Sequence, residues 1–316
     1  MAVGEVGMQG GLRGAYFGQW QLAEMVGIGG TAEIYRATRP DSPHPAAIKV
    51  MRPELVDDKE RTRAFHKEIA LLRELRHPGF PRFFAEGEIK GRPCFSMQFI
   101  AGPTLRQMLD QEVVFDRVGA LLGATTLVSH LHGQKIVHGD VKLENFLLPG
   151  DGHLRLIDFG NARRLSATAY FFRRQGGSGV QGTPSYVAPE LIKGKAASMA
   201  SDVYALGVLA WYLLADRAPF VGGKTEILRQ AAQCQAPGIR QTQPLVPISL
   251  ARIVDRAVSR EPDARFGNAE EMLLSIKVHF RQPEVQAPAD LTRALLAAKA
   301  KAKTAAQGDD DIDWMG

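Results

Sequence analysis

The sequence predicts an α+β protein with two lobes, the first built mainly from antiparallel strands and the second mainly from helices. Strand-like apolar runs and glycine turns dominate roughly the first hundred residues. A long apolar run at 203–215 indicates a buried helix in the second part. Between these parts, short apolar runs at 146–148 and 154–157 flank a turn at 149–152, which is the pattern of a β-hairpin.

The composition is that of an ordinary globular protein. The chain has 316 residues, of which 45% are hydrophobic and 23% are charged, which leaves room for two lobes. The formal net charge is +5, and no basic stretch is interleaved with aromatic residues, which disfavours nucleic acid as a partner.

Cysteine content and hydropathy predict the compartment. Cys94 and Cys234 lack the spacing of a metal site or a disulfide framework and indicate reduced thiols. No apolar run is long enough to cross a bilayer, and the glycine-rich residues 1–16 lack the apolar core of a signal peptide. We therefore expect a soluble, cytoplasmic chain with a flexible N-terminus over 1–16 and no membrane association.

A glycine-rich turn lies between the strand-like runs 16–26 and 34–38. Glycines let the backbone approach a phosphate closely and present N–H groups to it. Ala32 stands where a third glycine is expected, and a plain hairpin turn is the alternative for this motif taken alone. The candidate nucleotide-binding residues of the turn are Gly27, Ile28, Gly29, Gly30, Thr31, Ala32, Glu33, Ile34 and Tyr35.

A lysine, Lys49, interrupts the apolar strand-like run 46–50. A lysine in such a run is costly unless it meets an opposite charge, although a solvent-facing lysine on an edge strand is the alternative. An ion pair with a glutamate of the helical stretch 61–75 or its flank would hold the lysine amine toward nucleotide phosphates. Periodicity alone does not choose among Glu60, Glu68 and Glu74.

The most specific motif runs from His138 to Asn145 and is followed thirteen residues later by Asp158. It supplies a carboxylate, a lysine, an amide and a second carboxylate in an order that suits phosphoryl transfer from a magnesium nucleotide. Asp140 is the candidate for accepting the proton of a substrate hydroxyl, and Lys142 for stabilising charge on the transferring phosphate. The predicted hairpin would bring Asp158 beside Asn145, so that oxygens of both could bind Mg²⁺.

These motifs occur in one order over residues 20–280, and in that order they resemble the Hanks-type serine/threonine protein kinases, most closely the bacterial branch. The resemblance implies the bilobal protein-kinase fold, with a small lobe at 17–100, a larger lobe at 103–282, and ATP with Mg²⁺ (Mn²⁺ as an alternative) between them. It implies transfer of the ATP γ-phosphate to serine and threonine hydroxyls of proteins, and it selects Glu68 as the partner of Lys49. The run 94–102 resembles the connection between the lobes and adds three adenine-site candidates: Met97, Gln98 and Ile100.

The resemblance also assigns structural roles. Residues 182–190 resemble the substrate-docking loop of serine/threonine-specific kinases. Glu190 is paired with Arg265, and Asp202 is assigned to bracing the catalytic loop. Gly139 replaces the family arginine that binds a phosphorylated activation loop, so we expect activity without phosphorylation through that route. The loop hydroxyls are those of Ser166, Thr168, Tyr170, Ser178, Thr183 and Ser185.

Two other functions remain open. A pseudokinase that binds ATP as a scaffold is disfavoured, because pseudokinases usually lack at least one of the key residues and all are present here. A small-molecule kinase of related fold is disfavoured by the peptide-docking loop at 182–190. The key residues are Lys49, Glu68, Asp140, Asn145 and Asp158.

The tail at 283–316 begins with a proline-containing break. The run 291–303 has strong helical propensity, and we expect a frayed helix there with an apolar patch at Leu291, Leu295 and Leu296. A disordered acidic end should follow.

An alternative for the acidic end is a short recognition motif, with Ile312 and Trp314 as anchors and aspartates that match a basic groove. The groove would belong to a regulatory protein partner or to the kinase itself. In the kinase it would be formed by arginines of the activation loop: Arg163, Arg164, Arg173 and Arg174.

Overall fold

The computed structural model of the chain describes residues 11–165, 183–233, 235–281 and 287–309, the last eight of them by their backbone alone. The strands are β1 (Tyr16–Phe17), β2 (Trp20–Ile28), β3 (Ala32–Arg39), β4 (Ser42–Met51), β5 (Phe83–Ile89), β6 (Arg92–Gln98), β7 (Ile136–Val137), β8 (Phe146–Leu147), β9 (Arg155–Leu156) and β10 (Arg163–Arg164). The α-helices are α1 (Lys59–Glu74), α2 (Leu105–Asp110), α3 (Arg117–Gly133), α4 (Pro189–Ile192), α5 (Met199–Ala215), α6 (Lys224–Gln233), α7 (Ile239–Thr242), α8 (Ile248–Ala257), α9 (Ala269–Phe280) and α10 (Pro288–Asp309).

The chain divides into two compact units. Unit 1 comprises the residues up to Gly102 together with Leu147–Arg163, and unit 2 comprises Pro103–Phe146 together with the residues from Arg164 onward. Unit 1 holds a six-stranded antiparallel sheet in the order β1-β2-β3-β4-β6-β5, whereas unit 2 is mainly helical. The predicted α+β class, with strands first and helices later, is confirmed.

The two faces of the unit 1 sheet are buried in different ways. Ile48 and Val50 of β4 point into an apolar cluster on one face, so Lys49 between them points to the other face. Lys49 lies opposite Phe95 of β6, whose ring contacts that of Phe65 on α1 at 5.4 Å between centroids. Helix α1 therefore covers the face that carries Lys49. The cluster on the opposite face is completed by Leu12, Leu22, Tyr35, Ala37, Ile89 and Cys94.

Helix α1 begins where a cap is available. The Asp58 carboxylate accepts hydrogen bonds from the backbone N–H groups of Glu60 and Arg61, which satisfies two orphan donors of the first turn. The helix thus starts two residues before the predicted stretch 61–75. Phe65, Glu68, Ile69, Leu71 and Leu72 form its buried face.

The hairpin predicted after Asn145 is present. Strands β8 and β9 form a two-stranded sheet, and the Gly152 N–H donates to the Pro149 carbonyl at 3.0 Å in the turn between them. Gly152 has φ +73°, a conformation that favours glycine. The segment after β9 is fixed within unit 1 by the Phe159 ring, which packs edge-on against Phe80 at 5.4 Å.

Helices α3 and α5 form the core of unit 2. Helix α5 is buried on nearly all sides, as expected for the apolar run 203–215, and it starts earlier, at Met199, because Ser198 and Ser201 form a capping box. Helices α5, α9 and α10 all pack against α3. Within the described residues, none of the helices combines the length and apolarity needed to cross a membrane.

Helix α10 is docked on unit 2, in contrast to the frayed helix expected from its sequence. Leu291 and Leu295 are 1% and 3% exposed, and Leu296 is only partly buried. The Thr292 hydroxyl donates to the Asp116 carboxylate at 2.9 Å and accepts from the Val118 N–H at 3.2 Å. Thr292 thereby joins Asp116 in capping the first turn of α3, a contact that helical propensity does not predict.

Replacing Leu295 by alanine should release α10 from α3. A buried Leu→Ala change costs about 2–5 kcal/mol, so amide hydrogen exchange over residues 288–301 should rise by more than about tenfold. Leu296→Ala is the matched control, because this neighbouring leucine is only partly buried. Equal exchange rates in the two variants would contradict the docked position of α10.

Candidate functional site

The predicted ion pair of Lys49 is present in unit 1. The Lys49 ammonium lies 2.7 Å from Glu68 Oε1 and 2.8 Å from Asp158 Oδ1. Glu60 and Glu74, the other two glutamates considered, are exposed near the two ends of α1, while Glu68 is 4% exposed. One ammonium group thus joins β4, α1 and the segment that follows β9.

In this cluster one ammonium group serves two carboxylates. Burial by itself lowers the pKa of Lys49, but the adjacent carboxylates of Asp158 and Glu68 outweigh it and hold the pKa above its ordinary value, so the amine is protonated. Burial raises the pKa of Glu68, and the Asp158 carboxylate adds to this effect while the Lys49 ammonium opposes it. Two carboxylates that face one ammonium group form an arrangement that suits a further cation.

The backbone around Asp158 is arranged for this cluster. Asp158 has φ +65°, in the left-handed region that non-glycine residues rarely adopt and that is concentrated at functional sites. The Gly160 N–H donates to Asp158 Oδ1 at 3.3 Å. A Cβ at Gly160 would lie 3.4 Å from Asp158 Oδ1, 3.5 Å from Glu68 Oε2 and 3.8 Å from Lys49 Nζ. A methyl group added at 160 would therefore be in ordinary van der Waals contact with all three charged side chains.

Backbone hydrogen bonds within the glycine-rich turn and from Arg52 hold the turn in place. The Gly29 N–H donates to the Ala32 carbonyl at 2.8 Å, and the Arg52 N–H donates to the Thr31 carbonyl at 3.0 Å. Neither Gly29 nor Gly30 has positive φ, and a Cβ at Gly30 would meet no atom within 4 Å. The protein's own packing therefore does not require glycine at 30, and a backbone left bare there suits the close approach of a phosphate.

Several side chains of this motif are engaged inside the protein instead. Tyr35 is fully buried in the apolar cluster, and its hydroxyl donates to Glu33 Oε2 at 2.9 Å. Burial and the Glu33 carboxylate raise the pKa of Tyr35 to about 12. Glu33 also pairs with Arg92 at 2.8 Å, and Ala32 is 2% exposed. The side chains of Glu33 and Tyr35 thus brace β3, so these two positions could serve a nucleotide only through their backbone.

The three adenine-site candidates lie at the end of β6. Met97 is 9% exposed and pairs with Ala47 of β4. The Gln98 N–H donates to the Arg82 carbonyl at 2.8 Å, so only the carbonyl of Gln98 could face a ligand. Ile100 follows the strand and is partly buried.

In unit 2, two of the predicted catalytic residues contact the carboxylate of the third. Lys142 Nζ lies 2.7 Å from Asp140 Oδ2, and Asn145 Nδ2 lies 3.2 Å from the same oxygen. Asn145 Nδ2 also donates to the Asp140 carbonyl at 2.7 Å. The Asn145 nitrogen is therefore committed to Asp140, and its oxygen is the atom of this amide suited to a metal.

The backbone of the catalytic loop is anchored on Asp202, as the family resemblance suggested. Its carboxylate accepts from the His138 N–H at 2.7 Å and the Gly139 N–H at 2.9 Å, and it is 1% exposed. His132 Nε2 lies 3.0 Å from the same carboxylate, and His132 Nδ1 accepts from the Ala269 N–H at 2.9 Å. The two bonds define the tautomer of His132, with its proton on Nε2.

His132 was not singled out from the sequence. It lies on α3, where the surrounding apolar pattern indicates only a buried helix. The available signal was its place at the end of a buried helix, six residues before His138.

Gly139 has φ +75°, so an arginine at this position would adopt a strained left-handed conformation. A cavity of about 30 Å³, enough for one water, lies beside it and is also lined by Asp140, Thr183 and Asp202. Ser185 is buried and lies 3.4 Å from the Tyr212 hydroxyl. The other loop hydroxyls (Ser166, Thr168, Tyr170 and Ser178), the arginines Arg173 and Arg174, and the anchors Ile312 and Trp314 lie outside the described residues.

The predicted pair of Glu190 and Arg265 is bidentate, with both guanidinium nitrogens 2.8 Å from a carboxylate oxygen. The remaining N–H groups of Arg265 donate to the carbonyls of Ser259, Ala200 and Arg260. All five donors of the guanidinium are thus used, and Arg265 is 2% exposed.

Arg265→Lys should destabilise unit 2 although it conserves the charge. An ammonium cannot form the paired bonds to Glu190 and leaves buried carbonyls without donors, at a cost of roughly 2–4 kcal/mol. Urea unfolding, followed by tryptophan fluorescence, would measure the change. Arg229→Lys, at an exposed ion pair with Glu226, is the control and should be nearly silent. Equal midpoints for the two variants would show that the buried pair is not a structural brace.

Two features of this chain together are typical of the protein kinases. One is an antiparallel sheet with a buried lysine ion pair, and the other is a helical unit with an anchored Asp-Lys-Asn loop. The pattern of the protein kinase domain family matches residues 20–275. The chain belongs to this family.

The curated relatives include bacterial serine/threonine-protein kinases. PrkC of Bacillus subtilis is 29% identical over 94% of this chain and 47% of its own length. PknB of Mycolicibacterium smegmatis is 29% identical over 92% of this chain and 48% of its own. The DNA damage-responsive kinase RqkA of Deinococcus radiodurans is 32% identical over 78% of this chain and 37% of its own. The chain thus spans less than half the length of each of these relatives.

Membership in this family implies ATP and a divalent metal. The residues present fit both groups. Lys49 is held protonated in a cluster where its ammonium group faces two carboxylates. The turn around Gly30 leaves its backbone bare, and the Asn145 amide is held by its nitrogen with its oxygen available as a hard ligand.

Proposed function

We propose that the chain is a protein serine/threonine kinase, which transfers the γ-phosphate of ATP to serine and threonine hydroxyls of proteins with Mg²⁺ as the metal. The observation that carries the proposal is the convergence of Lys142 and Asn145 on the Asp140 carboxylate. The names of the relatives support the choice of serine and threonine as acceptors.

Asp140 would orient the acceptor hydroxyl and accept its proton. Its carboxylate is 14% exposed and is held by Lys142 and Asn145, so it has little freedom to turn away. The Lys142 ammonium, which pairs with Asp140, would stabilise the negative charge of the transferring phosphate. Phosphoryl transfer needs little covalent work from the protein, so the orientation of these groups supplies most of their effect.

Lys49 would hold the phosphates of the nucleotide, and the bare backbone around Gly30 would cover them. Asn145 and Asp158 would each offer an oxygen to Mg²⁺. The metal, when bound, neutralises charge on the phosphates. Met97, Gln98 and Ile100 would border the adenine.

Asp140→Asn tests the assignment of the base. The substitution keeps the shape of the side chain but removes its basicity, so transfer of labelled phosphate from Mg-ATP to a generic basic protein should fall by 10²-fold or more, while ATP binding stays. Asp151→Asn, at an exposed pair with Arg155, is the matched control and should retain activity. Full activity of Asp140→Asn would rule out this residue as the base, and inactive wild type that binds ATP would favour a scaffold.

We also propose that activity does not depend on phosphorylation of the activation loop, because Gly139 has no side chain to bind a loop phosphate. Replacing Ser166, Thr168, Tyr170, Ser178 and Ser185 by alanine or phenylalanine should leave transfer to a substrate within about threefold of the wild type. Because Ser185 is buried, a second variant retains it and replaces only the other four hydroxyls, which excludes a packing effect. Loss of activity in the variant that retains Ser185 would contradict the proposal.

A further inference from the structure

Unit 1 carries an open groove whose lining shares one residue, Gln98, with the residues proposed to bind the nucleotide. Its volume is about 1090 Å³, and Trp20, Phe84 and Phe99 line it together with Arg36 and Arg39. Small-molecule pockets usually enclose about 300–1,000 Å³. The size of the groove and its mixture of aromatic and cationic side chains favour a short peptide over a small ligand.

The groove carries a positive charge. Arg36, Arg39 and Arg82 line it with the carboxylate of Glu24, and Asp41 beside the groove pairs with Arg39 at 3.2 Å, so these five side chains leave one excess positive charge. Arg36 pairs with Glu24 at 3.3 Å, and both side chains are at least 40% exposed. The Arg82 guanidinium forms no ion pair with any residue that the structure describes. The Arg36–Glu24 and Arg39–Asp41 pairs lie at the surface, where an ion pair is worth little, so a ligand carboxylate can replace either acidic partner, and Arg82 is exposed.

The aromatic side chains provide an apolar surface beside these charges. The rings of Trp20 and Phe84 are nearly parallel, with 8° between their planes and 6.4 Å between centroids. Phe84 is 42% exposed, and the Arg39 guanidinium lies over the Trp20 ring at 4.7 Å. A ligand that combines an aromatic ring with carboxylates would contact both kinds of side chain.

The chain itself contains a segment of this chemistry. Residues 309–316 hold four aspartates, Ile312 and Trp314. The sequence has three tryptophans. Trp20 lines the groove and Trp211 is fully buried, so Trp314 is the remaining tryptophan that a groove could bind. A segment of the same chain is also present wherever the groove is, at an effective concentration set by the reach of the chain that joins the two.

We propose that the groove lined by Trp20, Phe84, Arg36, Arg39 and Arg82 binds the acidic segment 309–316 of this chain. The aspartates pair with the arginines, and Trp314 and Ile312 contact the exposed aromatic rings. The groove replaces the arginines of the activation loop as the basic surface for this segment. The inference concerns binding alone and does not depend on the proposed kinase activity.

The test uses a fluorescein-labelled peptide of residues 307–316 and the full-length chain. In a tail variant, Asp309, Asp310, Asp311 and Asp313 are changed to Asn and Trp314 to Ala, so that the chain's own segment no longer competes. Fluorescence anisotropy should show the peptide binding to the tail variant at least about tenfold more tightly than to the wild type. Equal affinities for the two proteins would overturn the proposal.

Groove substitutions locate the site. Arg39→Gln with Arg82→Gln in the tail variant should weaken peptide binding on the order of tenfold, since each exposed ion pair contributes up to about a factor of five. Arg229→Gln with Arg260→Gln removes the same charge from exposed arginines of unit 2 and should leave binding unchanged. Equal losses in the two double variants would overturn the proposal.

The peptide sequence supplies the last control. A peptide with Trp314→Ala should bind about tenfold more weakly, because aromatic anchors contribute most of such contacts. Unchanged binding of that peptide would reveal a general charge attraction only and overturn the proposal. Absence of measurable binding would do so as well and leave the groove to another protein or to a second copy of the chain.

Discussion

The buried ammonium group of Lys49 is the constraint on which the organisation of unit 1 depends. Removing one partner from a buried ion pair costs about 3–5 kcal/mol, so Lys49 is stable in its place only while Glu68 stays close, and the 39% exposed Asp158 side chain contributes less. The pair with Glu68 fixes the rotation of α1 on the sheet. The pair with Asp158 holds the left-handed backbone of that residue beside Lys49.

In unit 2, the buried carboxylate of Asp202 organises its surroundings as the Lys49 ammonium does in unit 1. One buried carboxylate accepts two backbone N–H groups of the catalytic loop and contacts His132, which in turn binds the first residue of α9. Asp140 needs no burial of its own, because the backbone on which it stands is fixed from behind. In both units, then, a fully buried charge positions groups that are themselves partly exposed, such as Asp140 and Lys142. Rigid anchoring of this kind is what orientation-dependent catalysis requires.

The sequence predicted those features that local chemistry determines. The hairpin at 146–157 follows from its turn residues, and α5 from an unbroken apolar run. Periodicity could not select Glu68, because only the packing of α1 buries one glutamate and exposes the others. The docking of α10 depends on Thr292 meeting Asp116, 176 residues away, and helical propensity carries no information about such a partner. The burial of the Tyr35 side chain could not be predicted for a similar reason, since the cluster that buries it is formed by strands distant in the sequence.

The central claim is that the Lys49 cluster is built to accept a cation at Asp158. Calorimetric titration of ATP in the presence and absence of Mg²⁺, for the wild type and Asp158→Asn, tests it most directly. We expect Mg²⁺ to strengthen ATP binding to the wild type by at least about tenfold and to have little effect on the variant, which lacks the charge that draws the metal. The same Mg²⁺ dependence in both proteins would contradict the account.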